Sequence, residues 1–125
     1  MKEKILIKIS GEALGKDGTK YDEETVLTIA NQIKELQKKY DVAFVVGGGN
    51  LFRGRNLAGK LSIAQPTADY IGMLATVQNA LVLRDFFEAE NITTRVMSAI
   101  SMPQVCEAYI PMRAKRHLEK GRVVI

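Results

Sequence analysis

The chain has 125 residues, 46% apolar and 26% charged, a balance that suits one folded domain and excludes a disordered or fibrous chain. Its net charge of +4 would draw a small anionic ligand. There is no long basic block and no ladder of aromatic and basic residues, so nucleic acid is not an expected partner. The longest uncharged stretch, between Asp69 and Arg84, is short and contains Gln78 and Asn79, which excludes a bilayer span. Charges inside MKEKILIKIS exclude a signal peptide, and no membrane partner is expected. Cys106 is the single cysteine, so no internal disulfide can form, no Cys/His cluster points to zinc, and the cytoplasm is the expected location.

In chain order, KILIKI (4–9) alternates around Ile5, Ile7 and Ile9 and predicts a strand that runs straight into Ser10-Gly11. A helix is predicted over 22–39. Asp22 is placed to cap it, and Glu23 and Glu24 sit where the helix dipole favours negative charge. Val26, Ile29, Ala30, Ile33 and Leu36 form its apolar stripe, and Lys38 and Lys39 close the end that favours positive charge. VAFVV (42–46) is apolar throughout, which predicts a strand buried on both faces of a parallel sheet. A long apolar helix is predicted over 67–90, with Thr67 or Asp69 near its start. Its Ile71, Leu74, Val77, Leu81 and Phe86 read as core or subunit-interface residues. TTRVM (93–97) predicts a further strand. Helical turns follow over 103–109 and 113–120, the second placed for a Gly121 cap, and RVVI (122–125) begins another apolar strand. His117 reads as a solvated helix residue and Cys106 as a small buried one. This alternation is that of an α/β domain with a mainly parallel sheet, and a chain stopping as an apolar strand begins reads as cut off after Ile125.

Ligands of open α/β sheets bind beyond the carboxyl ends of the strands. KISGE and VVGGGNLFRG each place a glycine turn at such an end. Bare glycine turns expose consecutive N–H groups around an anion-sized concavity, and a following helix N-terminus adds partial positive charge, so phosphate is the expected occupant. A Walker A loop is excluded because no Gly-Lys-Ser/Thr occurs, and a dinucleotide fingerprint because Phe52 stands three residues after Gly49. The alternative is that Gly47–Gly49 form a plain tight turn. Lys8 shares a strand face with Leu6, two residues before the first turn, from where its ammonium can reach phosphate oxygens. Arg53, four residues after Gly49, offers a planar fork suited to phosphate. Taken singly, each would be an ordinary solvated cation.

Taken together, KISGEAL after an N-terminal strand, VVGGGNLFRG, and ADYIGMLATVQNAL resemble the amino-acid kinase family, and within it the bacterial uridylate (UMP) kinases. RVMSAI and HLEKGRVVI agree in order and spacing, so the resemblance covers essentially the whole chain. It implies a three-layer α/β/α fold with a mainly parallel central sheet. Residues 1–125 would be the N-terminal, UMP- and phosphate-binding half. Members of the family continue past GRVVI into a glycine-rich segment that contacts the nucleoside monophosphate, and then into an ATP/adenine-binding half, which is expected to be absent here.

The resemblance also implies roles. The reaction would transfer the γ-phosphate of ATP to UMP, giving UDP and ADP, with Mg2+ accompanying ATP. Lys8 would lie between donor and acceptor phosphates as a catalytic group, and Ile9, Ser10 and Gly11 would line the ATP phosphates. Gly48 would face UMP and Gly49 ATP, with Arg53 as the second catalytic cation at their junction. Asp69 would accept hydrogen bonds from the uridine sugar, and Gly72 and Met73 would let the nucleotide approach the long helix. No carboxylate in this half is a convincing metal ligand, so the phosphates would hold most of the Mg2+ coordination. A homo-oligomer, a hexamer by resemblance, is expected. One departure is the loop GKDGTKYDEE, shorter and more charged than the region linked in the family to activation by GTP, which weakens that expectation. Two rival readings are a carboxylate or carbamate kinase of the same fold, which would lack GMLATVQNAL and NLFRG, and a truncated, non-catalytic nucleotide-binding fragment.

Overall fold

The alternation at the N-terminus becomes β1 (Glu3–Ile9), with Ile5, Ile7 and Ile9 turned inward and Leu6 and Lys8 outward. A computed structural model describes residues 1–52 and 62–125. β1 pairs in parallel with β2 (Tyr40–Val46) along its whole length, from Glu3 opposite Tyr40 to Ile9 opposite Val46. β6 (Val123–Val124) lies on the other side of β2 and β3 (Thr94–Arg95) beyond it, so the four-stranded sheet has the order β1-β2-β6-β3, parallel throughout. β4 (Met97–Ser98) and β5 (Glu107–Ala108) form a separate parallel pair.

Among the described residues, three α-helices connect these strands. α1 (Glu23–Gln37) starts where Asp22 accepts hydrogen bonds from the Thr25 N–H at 2.9 Å and the Thr25 hydroxyl at 2.6 Å. α2 (Gln65–Ala89) begins two residues before the predicted start, because Pro66 in its first turn has a preset helical φ and no N–H to leave unpaired. α3 (Pro111–Glu119) ends at Gly121, whose φ of +74° lets the Gly121 N–H reach the Leu118 carbonyl and the Arg122 N–H reach that of His117. None of these helices is long and apolar enough to cross a membrane, among the described residues.

α1 and α2 cover one face of the sheet. Between them, Val26, Ala30, Ile33, Leu83 and Phe87 meet Val42, Phe44, Val46 and Val123, and the rings of Phe44 and Phe87 pack edge to face at 5.8 Å. On the opposite face, α3 packs over β2 and β6, with Leu118 near Val124. The layers are thus helix, sheet, helix, the expected α/β architecture.

Several expectations change. VAFVV is buried on one face only: Val42, Phe44 and Val46 are buried, whereas Val45 is 49% exposed and Leu6, on the same face of the neighbouring strand, 68% exposed. With α3 they line an open apolar groove of ≈ 470 Å³. The predicted strand 93–97 splits at Val96, because the chain passes from one sheet to the other: Arg95 pairs with Val124, while Met97 pairs with Glu107. The helical turns predicted over 103–109 shrink to one turn closed on the Met102 carbonyl, after which the β-branched and aromatic residues around β5 favour extended chain. His117, expected in solvent, is 8% exposed: its Nε2 lies 2.9 Å from a Glu107 carboxylate oxygen, and Arg122 donates to its Nδ1 at 2.9 Å. A guanidinium only donates, so Nδ1 accepts and the ring proton sits on Nε2, facing Glu107. Cys106 is half-buried, and burial raises its thiol above the ordinary value.

Candidate functional site

Because β1 and β2 are parallel and in full register, their two glycine turns leave the sheet side by side. The Gly47 N–H donates to the Ile9 carbonyl at 2.9 Å, and Ser10 leads into a one-turn 3-10 helix, Gly11–Leu14, its side chain making no capping hydrogen bond. Contact between the turns is close enough to exclude side chains. A Cβ on Gly11 would lie 2.8 Å from the Gly49 nitrogen and 2.4 Å from Asn50 Oδ1, and one on Gly47 would lie 3.3 Å from the Gly11 nitrogen. One on Gly48 would lie 2.8 Å from the Ala75 Cβ and 3.0 Å from the Thr76 nitrogen, so this buried glycine lets β2 end directly against α2.

Among the described residues, the Gly48 and Gly49 N–H groups have no hydrogen-bond acceptor, whereas the Gly48 carbonyl accepts from both Leu51 and Phe52 at 3.0 Å. Two backbone donors at a strand end, in turns packed closely against each other, make an anion-sized seat. Lys8 stands on β1 opposite Val45, exposed on the open face and one residue before Ile9. Ile9, Ser10, Gly11, Gly48, Gly49 and Lys8 are therefore clustered at the carboxyl ends of adjacent strands. Arg53 lies outside the described residues.

Asp69, Gly72 and Met73 occupy the first part of α2. Asp69 accepts from Gln65 Nε2 at 2.8 Å and is otherwise exposed. Gly72 is half-buried, with Phe52 Cδ1 3.8 Å from where its Cβ would be, and Met73 is exposed. Gly48 touches the helix at Ala75, so Gly72 precedes that contact by one turn and Asp69 by about 9 Å along the axis. All three precede that contact along α2, with Met73 about 160° around the helix from Ala75. Among the described residues, no three His, Cys, Asp or Glu side chains converge on a metal-sized site. A larger cleft of ≈ 620 Å³, whose lining includes Arg84, Arg95, Arg113 and Cys106, shares no residue with the glycine turns.

The sequence reading missed Asn79 and Tyr21 behind these turns. Asn79 of α2 is fully buried and donates to the Gly47 carbonyl and to Asn50 Oδ1, both at 2.7 Å. Its Oδ1 accepts from the Tyr21 hydroxyl at 2.6 Å, and Asn50 Nδ2 donates to the Lys20 carbonyl at 3.0 Å. Burial raises the Tyr21 phenol above its ordinary value, with the neighbouring Asn50 amide acting in the opposite sense. A signal was available: Ala68, Gly72, Ala75, Asn79, Leu83 and Phe87 recur at helical spacing, and Asn79 is the polar member in the middle. The buried face of α2 is built around this stripe, with Val77, predicted above, and Ala80 also buried. Leu74, assigned above to the core or an interface, is 45% exposed. Small residues win the inner face because the glycine turn packs directly on the helix backbone.

Comparison with known proteins agrees with this geometry. The chain is 52% identical to a uridylate kinase of Paenarthrobacter aurescens over 99% of its own length and 50% of that protein's, and 55% identical to a uridylate kinase of Rickettsia bellii over 98% and 52%. Its fold superposes on the crystal structure of UMP kinase from Ureaplasma parvum with a TM-score of 0.92 at 36% identity, covering 100% of this chain and 55% of that one. For the UMP kinase of Bacillus anthracis the TM-score is 0.90 at 40% identity, over 98% of this chain and 51% of that one. The chain spans about half the length of these relatives. The family model for the amino acid kinase family matches residues 3–125, and the chain belongs to that family.

Proposed function

We propose that this chain is the UMP- and phosphate-binding half of a uridylate kinase that transfers the γ-phosphoryl group of ATP to UMP. The observation that carries the reading is the pair of interlocked glycine turns at the ends of β1 and β2, with the Gly48 and Gly49 N–H groups unpaired among the described residues and Lys8 beside them. Supporting it, relatives about half-identical in sequence are uridylate kinases and the similar solved structures are UMP kinases.

In-line phosphoryl transfer asks the protein for position and charge rather than for covalent chemistry. In this reading Lys8 and Arg53 neutralise the group in transit, and Ile9, Ser10, Gly11 and the Gly49 N–H hold the ATP phosphates. Gly48, Asp69, Gly72 and Met73 form the UMP side, with Asp69 accepting from the ribose hydroxyls. Mg2+ enters with ATP, where it neutralises the polyphosphate. In this reading the phosphates supply most of its coordination. The adenine pocket belongs to the part of the relatives' length that residues 1–125 do not span. A cytoplasmic homo-oligomer, hexameric by family resemblance, serving pyrimidine nucleotide biosynthesis completes the reading.

A coupled assay of the intact gene product with ATP, UMP and Mg2+ tests it directly. UDP and ADP should form in equal amounts, and no UDP formation overturns the assignment.

A further inference from the structure

We propose that Asn79 is a positioning residue for phosphoryl transfer, holding the glycine turns so that the Gly48 and Gly49 N–H groups point at the phosphates. The inference rests on the uridylate kinase reading for its catalytic consequence, but not for its structural one.

A fully buried amide in a stripe of Ala, Gly, Leu and Phe is costly unless each polar atom is paired. Asn79 pairs all of them. Its amide nitrogen uses both protons, on the Gly47 carbonyl and Asn50 Oδ1, and its oxygen accepts from the Tyr21 hydroxyl and, at 3.3 Å, from Asn50 Nδ2. The two side-chain amides thus face each other head to tail. An apolar residue of similar volume would fill the same space without any desolvation cost, so packing alone does not explain an amide here.

The bonded groups explain it. Gly47 is the first residue of the triplet and Asn50 the residue directly after it, so Asn79 grips the loop at both ends and leaves the Gly48 and Gly49 donors between them. The Gly11 turn is locked by the same pair, since a Gly11 Cβ would fall 3.0 Å from Asn79 Nδ2 and 2.4 Å from Asn50 Oδ1. From the other side, Tyr21 and the Lys20 carbonyl tie in the segment leading to α1. One buried side chain therefore fixes three segments that carry or flank every described phosphate-facing donor. Networks of this kind rigidify a single arrangement when fully satisfied.

The test uses the intact gene product. Asn79→Leu keeps the volume and removes every bond, and Tyr21→Phe removes one. In Asn79→Leu, kcat for UDP formation should fall about 10- to 100-fold, the scale of a small misplacement of catalytic groups, while KM for UMP and ATP changes little. Tyr21→Phe should lower kcat about 2- to 10-fold. Hydrogen exchange should quicken at the Gly47, Leu51 and Phe52 amides, which are hydrogen-bonded within the turns, but not at Leu83–Phe87 in the core. A wild-type kcat in both variants, or exchange that quickens equally in the core, overturns the proposal. If Asn79→Leu fails to fold, Tyr21→Phe decides, and unchanged exchange at Gly47, Leu51 and Phe52 then overturns it. If the wild-type protein forms no UDP, the kinase reading falls and the exchange comparison alone judges Asn79.

Discussion

Glycines in this chain serve two separable physical purposes. Gly11 and Gly48 have no room for a Cβ, whereas Gly121 has nothing within 4 Å of one and is held by its φ of +74° alone. Gly11→Ala and Gly48→Ala should each cost at least about 2 kcal/mol, read by urea denaturation, because backbone and pinned side chains must shift. They should also abolish UDP formation. Gly121→Ala should cost only about 1 kcal/mol of left-handed strain and leave the site untouched. Lys8→Ala tests charge instead of shape. Lys8 is exposed and makes no packing contact in the core, so the variant should melt like the wild type while losing about 10²–10³ in kcat. At this scale the sequence was informative for chemistry and poor for support. Lys8 and the glycine turns stood out because their residue types are unusual at strand ends. Asn79 and the His117–Glu107 pair did not, because a polar side chain announces burial only through its partners, which are 29 residues away in Asn50 and 10 in Glu107.

At the scale of elements, periodicity located β1, α1 and α2, and an unbroken apolar run located β2, each to within a few residues. The two-residue strands β4 and β5 have no pattern of their own and exist because the chain leaves the main sheet at Val96. α1 offers the clearest element-level prediction. The Thr25 hydroxyl and then the Thr25 N–H hold the Asp22 carboxyl below its ordinary value of 3.8. A carboxylate whose value is depressed on folding adds stability that is present above the unfolded value and is lost as pH falls through the folded one. The stability gap between wild type and Asp22→Ala should therefore be full at neutral pH and shrink below about pH 4. Parallel urea titrations would show this, and a gap that widens on acidification would refute it.

For the whole molecule, the open side of the sheet matters most. Leu6 and Val45 lie exposed on adjacent strands, in a groove shared with Tyr109, Pro111 and Ala114 of the α3 region. Residues 1–125 produced alone should bind a hydrophobic dye, self-associate in sedimentation measurements, and form no UDP from ATP and UMP. UDP formation by this piece would refute the division of labour proposed for the two halves. The sequence predicted VAFVV covered on both faces, and its composition is right for that. What leaves Val45 half exposed is that α3 covers only part of this face among the described residues, which no local pattern can encode.

The full-length register of β1 on β2 has a further consequence, for which changes of length the gene can bear. Side chains alternate along a strand, so inserting or deleting one residue in β1 would swing Lys8 into the apolar interior and send Ile9 outward, emptying the core and removing the cation together. The segment between Gly15 and Lys20 carries no such constraint: its residues are exposed but for Gly15, and it turns on Asp17 and Gly18 at positive φ. Variation in length should accumulate there and be purged from Glu3–Ile9, so one short strand sets the register of the candidate site.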